Sequence, residues 1–422
     1  MIYAEIISIG DELLIGQVVN TNASWMAAEL NKNGIAVVQV TAIGDQQQSI
    51  RNAIDEALGR THIVLITGGL GPTKDDITKM ALAAYFDSKI VFHQPTFEHI
   101  EKLFGVRNYP LTDVNRIQAE VPEKCIPLFN THGTAPGMWF EKDGKVVVSM
   151  PGVPFEMKTL VVDEVIPRMK EKFALGSIYH KTIMTHGVGE SALAERISEW
   201  ESALPIGIKL AYLPQPGIVR LRLSVSGDQL ENLQTAVNNQ CLKLGKLIPD
   251  LIFAYDDRLM EEVVGDYLKK TGQTLAVAES CTGGYLSHLI TTIPGSSAYF
   301  NGSVVSYTNA AKTEMLGVPE EIIVSHGAVS QAVVEAMALG ALMRFSTDYA
   351  LAVSGIAGPD GGTPEKPVGT VWIALATMDG VVSKLFHYGE HRGRNIRRSA
   401  LSALNMLRIK LKEKLPNDPQ SC

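Results

Sequence analysis

The sequence predicts an α/β protein of three domains, and three observations lead there. The chain has 422 residues, which at about 150 per domain makes two or three of them. Strand-like and helix-like runs alternate up to about residue 160 and again from about residue 255. Between them the order becomes βαββα over about 70 residues, the pattern of a small α+β module with a hairpin. The expected divisions are 1–170 for a doubly wound sheet, 171–252 for the small module, and 253–415 for a second α/β domain.

The elements follow in order. Tyr3–Ile9 is a β-rich run. Asn22–Asn33 has helical spacing of Trp25, Met26, Glu29 and Leu30, with Asn22 as N-cap and Gly34 just past the end. Ile35–Ile43 is a second strand, Gln48–Gly59 a helix, and His62–Thr67 a short apolar strand ahead of glycines. A βαβαβ rhythm implies a mostly parallel sheet with helices on both faces, whose ligands sit beyond the carboxyl ends of the strands. In the middle, His180–Thr185, Lys209–Leu213 and Ile218–Ser226 read as strands, the last two joined by the turn Pro214–Gly217. Glu190–Glu201 and Leu230–Leu244 read as helices. The third domain opens with helix Leu259–Lys270, closed by Gly272, and strand Thr274–Ala278. The last eight residues, LPNDPQSC, read as a frayed tail.

Composition narrows the function classes. At 45% hydrophobic and 20% charged residues the chain is an ordinary globular protein, which excludes disorder over most of its length. No apolar run approaches the roughly 20 residues a bilayer requires, and the start lacks the basic region of a signal peptide, so a cytoplasmic location is expected. A net charge of −7 argues against broad attraction to nucleic acid, which is not expected as a partner. Cys125, Cys241, Cys281 and Cys422 are scattered without a CxxC pair, so neither a zinc ribbon nor a disulfide framework is expected.

In the first domain the strand ending at Thr67 runs into Gly68-Gly69-Leu70-Gly71-Pro72-Thr73-Lys74-Asp75-Asp76. Glycines after a strand let the backbone approach a ligand, and the following helix start offers N–H groups to an anion. Asp75 and Asp76 serve either as helix-capping acids or, beside a phosphate cradle, as ligands of a divalent cation such as Mg²⁺. Gly10–Gln17 with Asn20-Thr21-Asn22, Gly133–Met138 and Met150–Met157 are further Gly/Pro loops expected at the same sheet edge.

In the third domain Ala278-Glu279-Ser280-Cys281-Thr282-Gly283-Gly284 lies between a strand and a helix. Ser280 there either caps the helix or acts as a nucleophile beside backbone N–H groups that hold an oxyanion. No histidine lies in a matching motif, which leaves Lys312 as a base if burial lowers its pKa and Tyr307 as a proton relay. Cys281 is a rival nucleophile. A rigid loop from Val353 to Thr370, containing Gly355 and Gly358, follows another apolar strand. Arg392, Arg394, Arg397 and Arg398 crowd a helix start, where cations oppose the dipole. The turn is either solvated or a phosphate site.

Together, GDELLIGQ, TGGLGPTKDD, GTAPGM, MPGVPFEM, LAYLPQPG, AESCTGG, YTNAAK and SGIAGPDGGTPEKPVG resemble the CinA family over almost the whole chain. The resemblance implies a molybdopterin-binding (MoaB/MoeA-type) fold first, a KH-type module second, and a nicotinamide-nucleotide amidase domain third. It implies that the third domain hydrolyses nicotinamide mononucleotide (NMN) to nicotinate mononucleotide and ammonia. There Ser280 is the nucleophile and Tyr307 and Lys312 assist, with no cofactor. Cys281, Thr282, Gly283, Gly284, Gly355 and Gly358 are the expected substrate contacts, with Arg392 and Arg394 competing for the phosphate. For the first domain it implies a metal-dependent ADP-ribose pyrophosphatase. Gly68, Gly69, Gly71 and Thr73 would hold the phosphates, and Asp75, Asp76 and Asp11 a Mg²⁺ or similar transition-metal ion, with Glu12 as a further ligand or base.

The KH-type module carries Glu190 in its Gly187-Val188-Gly189-Glu190 loop, an acid where an RNA clamp would want a base. It is expected to be structural or to pair two copies in a homodimer. Two other readings stand beside this one: a molybdopterin-handling enzyme, and an interaction protein of DNA uptake.

Overall fold

A computed structural model describes residues 1–71, 73, 76–107 and 110–415. The chain divides into two compact units, Met1–Tyr179 with Val225–Gln234, and His180–Ser224 with the chain from Thr235 on. The middle module therefore belongs mainly to the same unit as the C-terminal domain.

The first unit is built on strands β1 (Ile2–Ile9), β2 (Ile35–Ile43) and β3 (Ile63–Thr67), a small antiparallel pair β4 (Ile90–Phe92) and β5 (Glu120–Pro122), and then β6 (Ile126–Leu128), β7 (Gly137–Lys142) and β8 (Lys145–Met150). The main sheet has the order β2-β1-β3-β8-β7-β6, parallel through its first four strands and antiparallel in its last two. Strand β3 is buried along its whole length, as a parallel strand covered on both faces must be. Alternate residues of β1 enter separate cores: Ala4 and Ile6 on one face, Ile7 and Ile9 on the other. The first long helix spans Thr21–Lys32. Its N-cap is Asn20, whose side chain accepts from the Ala23 N–H, and not Asn22. The Asn22 side chain instead crosses to the Gly152 carbonyl at 2.7 Å.

The middle module contains β9 (Ser177–His186), β10 (Lys209–Gln215), β11 (Ile218–Gly227) and β12 (Ile252–Ala254) in the order β10-β11-β9-β12. Strand β10 runs on through Pro214 to Gln215, which tightens the expected four-residue turn to Pro216 and Gly217. Gly217 sits at φ +86°, a conformation glycine adopts at no steric cost.

The C-terminal sheet is β13 (Leu275–Glu279), β14 (Phe300–Val305), β15 (Tyr349–Gly355), β16 (Thr370–Thr377) and β17 (Gly380–His387), in the order β14-β13-β15-β16-β17. The first three strands are parallel and the last two antiparallel. One face is small: Ala276, Ala278, Ala350, Ala352, Ala374 and Ala376 pack beneath the Gln331–Phe345 helix. The other face, with Val277, Leu351 and Ile373, packs against the Met260–Thr271 and Arg392–Lys412 helices in a core that also takes in Met184 and Ile218 of the middle module. Of the expected tail, Leu415 packs partly buried on this core, and residues 416–422 lie outside the described ones.

Candidate active site

Parallel pairing levels the ends of three strands in the second unit. Glu279 of β13 lies opposite Val305 of β14 and Val353 of β15. The residue after Glu279 is Ser280, whose N–H donates to the Val353 carbonyl at 2.9 Å. The residue after Val305 is Ser306, whose N–H donates to the Glu279 carbonyl at 2.8 Å. Seven residues past Val305, within the Asn309–Leu316 helix, Lys312 turns back toward the strand ends.

Its ammonium nitrogen donates to the Ser280 hydroxyl at 3.1 Å and to the Ser306 carbonyl at 2.7 Å. Lys312 is 1% exposed and Ser280 9%. Burial pulls the lysine below its ordinary pKa, and none of the described carboxylates pairs with it to oppose that shift. The lowering shifts the lysine toward its neutral amine form, whose lone pair can take the proton of the neighbouring hydroxyl.

The loop that presents Ser280 is held by a residue that sequence reasoning did not single out. Glu279 is fully buried. Its carboxylate accepts from the N–H groups of Gly284, Leu286 and Ser287 at 2.9–3.1 Å and from the Ser287 hydroxyl at 2.6 Å. Four donors on one carboxylate fix the start of the Tyr285–Thr291 helix. Gly283 and Gly284, at φ +59° and +97°, give the loop its tight return. The Gly283 N–H is engaged by the Ser280 carbonyl and the Tyr285 N–H by the Thr282 carbonyl. Among the described residues, the Thr282 N–H is the one in this loop left without a protein acceptor, while the Cys281 N–H turns to its own sulfur.

The Cys281 side chain enters the core, where burial pushes its thiol up to about 12. It is a protonated, enclosed thiol and a poor rival to Ser280. Tyr307 is 59% exposed, and its phenol oxygen accepts from Arg392 at 3.3 Å instead of meeting Ser280 or Lys312. Arg392 also donates to the Gly358 carbonyl at 2.8 Å. Arg394, in the same turn, is exposed. The competing arginines are thereby separated, since Arg392 joins Tyr307 to the glycine loop. Asn395, 1% exposed, ties that loop to the helix through the Ala357 and Gly389 carbonyls at 3.0 and 2.7 Å. Gly355 closes β15 where a Cβ would meet the Thr370 carbonyl oxygen at 2.8 Å.

In the first unit the loops after β1, β3 and β8 surround a cavity of about 530 Å³. Gly68, Gly69 and Gly71 line it, with Asn20, Glu12, Asp45, Asp76 and Glu156. A Cβ on Gly68 would lie 2.2 Å from the Ile9 carbonyl oxygen, so β1 and the loop approach as only glycine allows. Of the expected metal ligands, Asp76 lines the cavity. Asp11 is absent from the lining and lies over Gly44. Asp76 is engaged by the N–H and hydroxyl of Thr73, its N–H bond being 2.9 Å. Asp75 falls outside the described residues. Among the described residues no three His, Cys, Asp or Glu side chains converge as a metal centre, and no helix is long and apolar enough to cross a membrane.

The comparisons with known proteins follow the same divisions. A family model described as "CinA C-terminal domain" matches residues 257–411, "Probable molybdopterin binding domain" matches 5–171, and "Damage-inducible protein CinA KH domain" matches 180–254. A CinA-like protein of Cytophaga hutchinsonii is 47% identical over 412 residues, covering 98% of this chain and 99% of that one. The chain belongs to the CinA family. A CinA-like protein of Flavobacterium psychrophilum is 46% identical over 96% of this chain and 97% of its own. The solved structure of the competence/damage inducible protein CihA from Agrobacterium tumefaciens is 41% identical, covering 36% of this chain and 93% of that one with a TM-score of 0.35. A domain of the family described as a probable molybdopterin binding domain is thus followed by a KH module and a CinA C-terminal domain, and the domains are of kinds that point to an enzyme.

Proposed function

We propose that this CinA-family chain is a hydrolase of pyridine nucleotides whose C-terminal domain deamidates NMN. The observation that carries the reading is the 3.1 Å contact between the buried amine of Lys312 and the Ser280 hydroxyl. In this mechanism the neutral amine takes the Ser280 proton as the oxygen attacks the carboxamide carbon. The oxyanion forms against the N–H groups of Thr282 and Cys281, the second turning from its own sulfur. Lys312 then returns the proton to the departing nitrogen, which leaves as ammonia. Water, deprotonated by the same amine, hydrolyses the acyl-serine and releases the carboxylate product. In this reading Arg392, beside Gly358, takes the nucleotide phosphate.

For the first unit the proposal is cleavage of the ADP-ribose pyrophosphate, with phosphates on the Gly68–Gly71 loop and a divalent metal ion as cofactor. Among the described residues no three carboxylates gather into a centre for such an ion. A molybdopterin ligand would suit this cavity's domain type but leaves the Ser280–Lys312 pair without a use.

Ammonia release from NMN tests the main reading. The wild-type chain should turn over, Cys281→Ala should stay within a few-fold of it, and Ser280→Ala and Lys312→Ala should fall by about 10³-fold or more. Unchanged turnover in Ser280→Ala would sink the proposal. Hydrolysis of ADP-ribose with and without Mg²⁺ or Mn²⁺, in the wild type and in Asp76→Ala, tests the other half. Loss of turnover without metal is the expected result.

A further inference from the structure

The second unit holds a cleft of about 930 Å³ that shares no lining residue with the Ser280–Lys312 site. One wall is the end of β9 and the turn at Gly217 from the middle module. The other is β17 and the later turns of the Arg392–Lys412 helix. The Gly187–Glu190 loop, which a KH module would turn toward RNA, faces this cleft instead.

A chain of hydrogen bonds braces the two walls. The Tyr388 hydroxyl donates to the Ser402 hydroxyl at 2.8 Å, and Ser402 meets His186 Nε2 at 3.4 Å. His186 Nδ1 lies 2.7 Å from the Gly217 carbonyl. A carbonyl only accepts, so Nδ1 carries the proton and Nε2 receives one from Ser402. Burial holds His186 down at about 4, so the imidazole stays neutral and the brace stays closed at ordinary pH. The cleft is therefore preformed, within the volume range of small-molecule sites.

Its lining carries the cations Lys384, Arg398 and Lys410 as well as three acids. Arg398 is half-buried in the wall and no described acid pairs with it. Behind Asn405, whose carbonyl oxygen accepts from it at 2.9 Å, Arg408 is 3% exposed and again has no acid partner among the described residues. The acids Glu190, Asp379 and Glu413 all lie exposed at the mouth, and Glu413 is held by Lys410 at 2.7 Å. On β17 the rings of Phe386 and Tyr388 are stacked, 5.7 Å apart and 17° from parallel, and the Lys384 ammonium lies over the Phe386 ring at 5.3 Å.

We propose that this cleft binds a small planar aromatic anion, its ring against Phe386 and Tyr388 and its acidic group toward Arg398. The combination of a stacked aromatic pair, an unpaired guanidinium at Arg398 and the Lys384 ammonium beside the rings matches such a ligand and disfavours neutral or cationic ones.

The test uses 1-anilinonaphthalene-8-sulfonate as the probe on the full chain, followed by its fluorescence. One saturable site per chain is expected. Arg398→Ala should weaken binding at least tenfold, and Val382→Trp, which fills the cleft from an exposed position on β17, should abolish it. Circular dichroism checks that both variants fold. The uncharged probe N-phenyl-1-naphthylamine should bind more weakly and ignore Arg398→Ala. Ser280→Ala should bind the sulfonate like the wild type, which keeps this result separate from the amidase reading. Sulfonate binding untouched by both cleft variants, or lost in Ser280→Ala, overturns the proposal. So does an uncharged probe that binds as tightly as the sulfonate.

Discussion

Arg392 joins Tyr307 to the glycine loop, with one arm on the phenol oxygen at 3.3 Å and the other on the Gly358 carbonyl at 2.8 Å. A guanidinium in the first turn of a helix opposes the helix dipole, and a bound phosphate removes that conflict. Arg392→Ala should raise KM for NMN at least tenfold with kcat little changed, while Arg394→Ala should leave both near the wild type. The dephosphorylated riboside should show no such dependence on Arg392. Equal losses on both substrates would mean that Arg392 shapes the loop and does not hold phosphate.

Lys312 sets the pH dependence. Burial lowers its pKa, and only the neutral amine accepts the Ser280 proton. Turnover should therefore rise with pH and level off below the ordinary lysine value of about 10.4. The same shift makes the unfolded chain bind a proton that the folded one lacks. Stability should then increase with pH between the lowered value and the ordinary one. Lys312→Arg keeps its charge at every accessible pH and should be as inactive as Lys312→Ala. A pH–rate profile that climbs through the ordinary lysine range would contradict this assignment.

The sequence shows the strand-to-helix loops plainly because glycine clusters after apolar runs have few other uses. Gly68 and Gly283 sit at the positive φ such loops require. It shows side-chain partnerships unevenly. Lys312 lies in NAAKTEML, which has the pattern of a solvated helix, so the sequence points to it as the base of Ser280 only for want of a histidine, and the level strand ends at Glu279 and Val305 bring the two together. Asp76 in TKDD reads either as a cap or as a metal ligand, and the loop brings the Thr73 N–H to it. Asn20 displaces Asn22 as helix cap because the chain turns two residues earlier, which frees Asn22 to bridge to Gly152. Residues far apart in the chain meet through strand register, and a single sequence carries no direct trace of that.

Gly68 and Gly16 make a matched pair for the first unit. Both have positive φ, +110° and +74°, but a Cβ at Gly68 meets the Ile9 carbonyl oxygen at 2.2 Å while nothing lies within 4 Å at Gly16. Each Gly→Ala variant carries backbone strain of about 1–3 kcal/mol, and only Gly68→Ala must also push β1 from the loop. Gly68→Ala should lower the urea midpoint further and lose ADP-ribose turnover, and Gly16→Ala should keep it. NMN deamidation should be unchanged in both.

Glu279 is the residue on which the shape of the Ser280 loop turns. Its carboxylate accepts four hydrogen bonds with no exposure to water. In Glu279→Gln one oxygen becomes an NH₂ group, so the donors that face it lose their acceptor and are repelled, while the remaining oxygen keeps its own pair. Hydrogen bonds to a charged group contribute about 1.5–3 kcal/mol each, and leaving buried donors unsatisfied costs a comparable amount. The variant should lose about 3 kcal/mol or more in urea unfolding. Because the loop then wanders around the Cys281 and Thr282 N–H groups, kcat for NMN should fall by about 10²-fold or more even where the chain is fully folded. Glu279→Asp keeps the charge but shortens the reach. It should recover part of the stability and little of the rate, which separates loop geometry from charge. A Glu279→Gln protein with normal kcat would show that Ser280 and Lys312 hold their relative placement without the carboxylate.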